Sequence, residues 1–186
     1  MLGINFNEMS NTYFISDTHF FHRNIIDYCG RPFKSEVEMN DTIIRRWNIK
    51  VEKTDTIFHL GDFSLCTEAL TILEQLNGKK FLVPGNHDKA AIRNSTHWVD
   101  ICPDIQEIRI GEDIIILCHY PLESWNKKFH NSIHLHGHIH LRTNSHNKQV
   151  NRYDVGVDAN NFTPVSFHEI KHFLNKKINS DITELF

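Results

Sequence analysis

Short apolar runs that end in polar residues recur along the first half of the chain: "TYFISD", "DTIFHLGD" and "KKFLVPGNHD". An unbroken apolar run of this length is the pattern of a strand covered on both faces. Polar residues just past such strands are where open α/β sheets deliver their chemistry. Between the runs, Met39, Ile43, Ile44 and Trp47 follow at helical spacing after a capping box of Ser35 and Glu38, which predicts a core-facing helix. Leu70, Leu73 and Leu76 predict a second helix that stops near Gly78. Strand, helix, strand, helix, strand reads as an α/β domain with its functional residues along one edge.

The second half changes character. "IQEIRI", "EDIIILCHY", "SIHLHGHIH" and "RYDVGVD" read as strands joined by short turns, with "GED" as a hairpin connection, so two sheets are expected. Pro164 predicts a helix start, and Ile178, Ile182 and Leu185 then lie along one face of a lysine-rich surface helix with a frayed tail. Met9 opens "MSNTYFISD" directly before the first strand, so residues 1–8 read as a dispensable extension. No repeat, low-complexity tract or linker divides the chain, and residues 1–186 are read as one domain.

Composition excludes several classes. No apolar run approaches the roughly 18 residues of a membrane span, and no signal segment opens the chain. A formal charge of −3 argues against a generic polyanion binder, and there is no strong nucleic-acid signal. The four cysteines are scattered, with no C-x-x-C pair, which suits reduced thiols in a cytoplasm.

Histidine stands out, with 14 copies. In "IHLHGHIHLR", His134, His136, His138 and His140 occupy every second position. On a strand such residues share one face. Two readings follow: a solvated strand face, or a transition-metal site. Gly137 predicts a break in the alternation that re-aims His138 and His140.

Taken in order, the polar residues after the apolar runs are Asp17 and His19 in "SDTHF", Asp62 in "LGDFS", and Asn86, His87 and Asp88 in "PGNHD". His119 in "CHYP" and then His138 and His140 in "GHIH" complete the set. Clustered His, Asp and Asn are what metal sites need. The ordered set resembles the calcineurin-like metallophosphoesterase superfamily, whose pattern of D-x-H, G-D, G-N-H-D/E, H and G-H-x-H is matched from Ser16 to His140. The resemblance is to the compact, single-domain type of prokaryotes and phages. It implies a four-layer αββα sandwich with two mixed sheets inside.

The resemblance also implies a two-metal site. Asp17, His19, Asp62 and His140 would hold one ion, and Asp62, Asn86, His119 and His138 the other, with Asp62 bridging. The mixed donors favour Mn, Fe or Zn over Mg, with Mn preferred. His138 and His140 would share a strand face and each reach a different ion. A hydroxide between the ions would attack phosphorus in line, and His87 matches the family's catalytic histidine, acting as general acid or as a cation. His134 and His136 remain open between partners that orient the ligands and solvated polar residues. His22 and Arg31 are candidates for binding substrate phosphate, with surface roles as the alternative. Tyr120 and Trp125 form either a stacking wall for a base or ordinary packing.

Phosphoprotein phosphatases are disfavoured, since "GDFSLC" replaces their G-D-x-x-D-R. The expected function is hydrolysis of phosphoesters, foremost phosphodiesters of small nucleotide-like substrates. A phosphomonoesterase and a non-catalytic scaffold of the same fold are the alternatives.

Overall fold

The computed structural model describes residues 4–6, 11–146 and 150–183. The first half runs β1 (Ile4–Phe6), β2 (Thr12–Ile15), α1 (Arg23–Cys29), α2 (Glu36–Lys50), β3 (Thr56–His59), α3 (Leu70–Gln75), β4 (Lys79–Leu82) and α4 (Ala90–Arg93). The second half runs β5 (Asp100–Ile101), β6 (Ile105–Ile110), β7 (Asp113–Cys118), β8 (Ile133–His136), β9 (Arg152–Asp154), β10 (Val165–Ser166) and α5 (Phe167–Thr183).

Two mixed sheets result, as expected for the metallophosphoesterase fold, one ordered β10-β2-β3-β4-β5 and the other β1-β6-β7-β8-β9. In the first, β2 to β5 are parallel and β10 joins antiparallel. In the second, only the β6–β7 hairpin is antiparallel. It turns at Gly111, whose φ of 58° suits glycine.

The alternation along β2, β3 and β4 explains their unbroken apolar sequence. Tyr13, Ile15, Ile57 and Leu82 point to one side, where Met39, Ile43 and Trp47 of α2 and Ile72 and Leu73 of α3 meet them. Phe14, Phe58 and Val83 point to the other and pack on Ile108, Ile115, Leu117, Leu135 and Tyr153 of the second sheet, joined by Ile170 and Leu174 of α5. Each fully buried side chain of this size contributes about 1.5–3 kcal/mol, so the strand ends rest on a rigid double core.

The capping box before α2 forms in shifted register. Ser35 Oγ accepts from the Glu38 N–H, while the Glu38 carboxylate accepts from the Lys34 N–H. The helix expected from Pro164 begins later, at Phe167. Val165 and Ser166 are held as an edge strand on β2, and a reciprocal box of Ser166 and Glu169 then starts α5. That "SFHE" signal sets the start more strongly than the proline.

At the other end, Ile4–Phe6 pairs in parallel with β6. The rest of residues 1–8 lies outside the described residues, as do Leu185 and the side chains of Ile178 and Ile182.

Candidate metal centre

The loops after β2, β3, β4, β7, β8 and β9 converge at one edge of the sandwich. The loops bearing Asp62 and Asn86 pass backbone against backbone: a Cβ on Gly61 would collide with the Gly85 main chain and sit 2.9 Å from His119 Nδ1. Asp88 ties the two loops, since Oδ2 accepts from the N–H groups of Asp62 (2.9 Å) and Gly85 (2.8 Å) and Oδ1 from that of Phe63 (2.8 Å).

Left-handed backbone recurs among the candidate ligands. Asp17, His19, Asp62, His138 and His140 have φ of 58°, 49°, 58°, 72° and 47°. The break expected at Gly137 is present, and the strand face expected to be shared by His138 and His140 is not. β8 ends at His136, so His138 and His140 do not share a strand face; they stand on a loop after Gly137, each aimed by its own left-handed turn. Gly137 is needed for close approach, because a Cβ there would overlap Ser16 Oγ and Asp17 Oδ2.

The side chains gather into two sets. Asp17, His19 and His140 have donor atoms within 4.8 Å of one another, as do Asp62, His119 and His138. Asp62 Oδ2 spans them, 3.6 Å from His19 Nε2 and 3.4 Å from His119 Nε2. Asn86 Oδ1 joins the second set 3.1 Å from His119 Nε2, and His119 Nδ1 meets the Leu60 carbonyl at 2.8 Å, which leaves Nε2 facing the centre. Neither nitrogen of the buried His19 ring has a hydrogen bond. Buried polar atoms without partners are costly, and a divalent cation bound by this donor set resolves that cost.

The profile of the calcineurin-like phosphoesterase superfamily domain matches residues 11–162, a span that holds every residue of both sets. The chain belongs to the calcineurin-like phosphoesterase superfamily. Two relatives of this superfamily member are small proteins from an archaeon and a phage. An uncharacterised protein of Methanocaldococcus jannaschii is 35% identical over 179 residues, covering 90% of this chain and 93% of its own. The gene 66 protein of Mycobacterium phage L5 is 28% identical over 187 residues, with 81% and 88% covered. The crystal structure of a protein of unknown function from Aquifex aeolicus superposes with a TM-score of 0.74 at 28% identity, covering 88% of this chain and 99% of that one.

The superfamily centre is backed by residues that the motif does not name. Asp158 accepts from His140 Nδ1 at 2.8 Å and receives Arg31 Nε and Nη2, each at 2.9 Å. Arg31 also donates to the carbonyls of Asp17 (2.7 Å) and Thr18 (3.1 Å) and to Met39 Sδ. Its side chain is buried and its five N–H groups are all directed inward, so its placement differs from the phosphate-binding role expected of it. Asp158 follows the apolar "YDVGV" and carries the same strand-then-polar signal as the candidate ligands, so it is open to the same argument. Cys29 lies beside His140 and Asp158, with donor atoms within 4.8 Å.

His59, on β3, stands behind the first loop. The Thr18 hydroxyl donates to the Phe63 carbonyl and thus accepts from His59 Nε2 at 3.0 Å. Nothing in "TIFHLG" marks that histidine as different from a core residue. His134 and His136 are buried, not solvated. His134 Nε2 accepts from the Leu122 N–H at 2.9 Å and its Nδ1–H therefore donates to the Ile116 carbonyl at 3.0 Å, while His136 Nδ1 meets the Gly137 carbonyl. His134 thereby anchors the loop that follows His119.

Burial shapes the charge of the centre. It pushes the Asp17 carboxyl up to about 6 against the pull of His140 and His119, and it holds His19 well below its ordinary value, as a neutral imidazole. Burial also acts to raise Asp62, but the hydrogen bond and charge of His119 and the His87 N–H hold it below the usual carboxylate range. His119 is raised despite its burial because Asp62 and Asp17 face it.

At the rim, His87 is half exposed with Nε2 4.0 Å from Asp62 Oδ2, and its ring centroid is 5.6 Å from that of His19. His22 is half-buried, 5.5 Å from His19, with Nδ1 unpartnered. Tyr120 packs on His119 and His138 at 5.1 and 4.6 Å and is 45% exposed. Trp125 is instead buried against His134, with Nε1 bonded to Ser132. Of the two aromatics, only Tyr120 stands at the centre.

Proposed function

We propose that this superfamily member is a two-metal phosphodiesterase for small nucleotide-like substrates. The observation that carries the reading is the pair of donor sets joined at Asp62. Asp17, His19, Asp62 and His140 would hold one divalent transition ion, and Asp62, Asn86, His119 and His138 the other, manganese being favoured by the mixed nitrogen and oxygen donors. Two such ions, when bound, activate water and offset the charge on phosphoryl oxygens. A complete donor set argues against a non-catalytic scaffold.

His87 presents its imidazole at the open rim and donates a proton to the leaving oxygen as the ester bond breaks. Asp88 keeps it there by tying the Asn86–His87 loop to Asp62. His22, its ring centroid 5.5 Å from that of His19, contacts the substrate phosphate. Preference for diesters follows from charge. A monoester carries a second negative charge, and Arg31, which stands directly behind Asp17, has its donors committed to Asp158, Met39 and backbone carbonyls.

The test is a manganese-reconstituted panel of matched monoesters, linear diesters and cyclic nucleotides, run with Asp62→Ala and His87→Ala. Diester kcat/KM is expected to exceed that of monoesters. Asp62→Ala should lower metal occupancy at both positions, and His87→Ala should keep its metal and lose about 10²–10⁴ in kcat. Faster monoester turnover would favour the phosphomonoesterase reading, and unchanged occupancy in Asp62→Ala would overturn the ligand assignment.

A further inference from the structure

A cleft of about 350 Å³ opens on the His119 side of the centre, with Asn86 and His119 in its lining. Its volume lies at the small end of the roughly 300–1,000 Å³ of small-molecule sites, large enough for one nucleoside-sized group. Ile105, Tyr120 and Leu122 give it apolar walls, and Arg93 and Asp104 are its charged groups. Resting on the esterase reading, we propose that this cleft receives the leaving group and that this group is a nucleoside or a similar planar heteroaromatic bearing N–H donors.

Three side chains converge on that chemistry. Tyr120 is an exposed aromatic ring packed directly on His119 and His138, so a base stacked on it lies next to a phosphate held at the second donor set. Arg93 is fixed in place, Nε donating to the Asp88 carbonyl at 2.7 Å and Nη2 to the Gly85 carbonyl at 2.8 Å. Its Nη1 has no hydrogen bond within the protein among the described residues and remains available to a ring nitrogen or carbonyl acceptor. The exposed Asp104 carboxylate accepts N–H donors from a base edge. An alkyl leaving group would instead cover these two charged groups without replacing their hydrogen bonds to water, which is unfavourable.

Calorimetric binding of adenosine 5′-monophosphate and of methyl phosphate to the manganese-loaded protein tests the assignment. Methyl phosphate has no base and registers any effect of a substitution on the metal end. The nucleotide should bind at least about tenfold more tightly, the scale of one base stacked on an aromatic ring. Tyr120→Ala should bring the affinity ratio toward one, and Tyr120→Trp should keep it within about twofold of the wild type. A wild-type ratio near one, or a ratio that Tyr120→Ala leaves unchanged, overturns the cleft assignment. Turnover of bis(p-nitrophenyl) phosphate, measured alongside, separates the two levels: turnover with a ratio near one defeats the cleft assignment alone. Absence of turnover defeats the esterase reading and the leaving-group assignment with it.

Discussion

Removing the titration of His134 should flatten the acid side of the stability profile. The ring is buried and both nitrogens are spoken for as a neutral imidazole, so a second proton has no acceptor. Burial is the main cause that pushes its pKa down to about 4 from the ordinary 6.5. The sign follows from proton binding: below pH 6.5 the unfolded chain takes up a proton that the folded chain refuses, so stability is full above that pH and falls as pH drops toward 4. With those two values the loss is about 2 kcal/mol at pH 5 and about 3 kcal/mol once pH is below 4. His59 and His136, pushed down by burial to about 3, act in the same direction. Asp17 and Asp154, pushed up by burial to about 6 and 7, act in the opposite one. The slope of the wild type alone is therefore not diagnostic. The difference between wild type and His134→Gln is. Urea unfolding of chelator-treated protein at pH 7.5 and pH 5 should show the wild type losing about 2 kcal/mol more than the variant over that interval. Parallel profiles would refute the assignment of a buried neutral His134.

Two other perturbations probe the centre. Gly137→Ala places a methyl group against Ser16 Oγ and Asp17 Oδ2, so urea unfolding should show a loss of about 1–3 kcal/mol and metal titration a weakened first donor set; wild-type values in both would contradict the close approach. Asp158→Asn removes the carboxylate shared by His140 and Arg31. Metal affinity should fall about 10–100-fold, with about 3–5 kcal/mol of stability lost because Arg31 remains buried without its counter-charge, and unaltered metal titration would show that His140 is oriented by something else.

The strands and the donor set were legible because each is a local signal repeated in order: an apolar run, then Asp, Asn or His. Double burial of β2, β3 and β4 left its trace as the missing polar alternation, and the ordered "SDTHF", "LGDF", "GNHD", "CHY" and "GHIH" carried the site. What escaped depends on side chains meeting across the fold. Arg31 carries the same letters whether it faces a phosphate or Asp158, 127 residues away. Gly137 marks the break in the histidine run, but only the packing of Gly137 on Ser16 shows that the ladder ends there and leaves His138 and His140 on a loop. His134 and His136 read as polar yet are interior, because backbone groups complete their hydrogen bonds, those of Leu122 and Ile116 for His134 and of Gly137 for His136.

The left-handed turns at Asp17, His19, Asp62, His138 and His140 limit which residues the centre can exchange over time. Asp, Asn and His tolerate that backbone better than other side chains with a Cβ. The same three types supply the oxygen and nitrogen donors, so conformation and coordination filter substitutions together. Glutamate in place of Asp62 would offer an equivalent carboxylate on a backbone it does not favour. Drift at these five positions is thereby confined to a narrow alphabet.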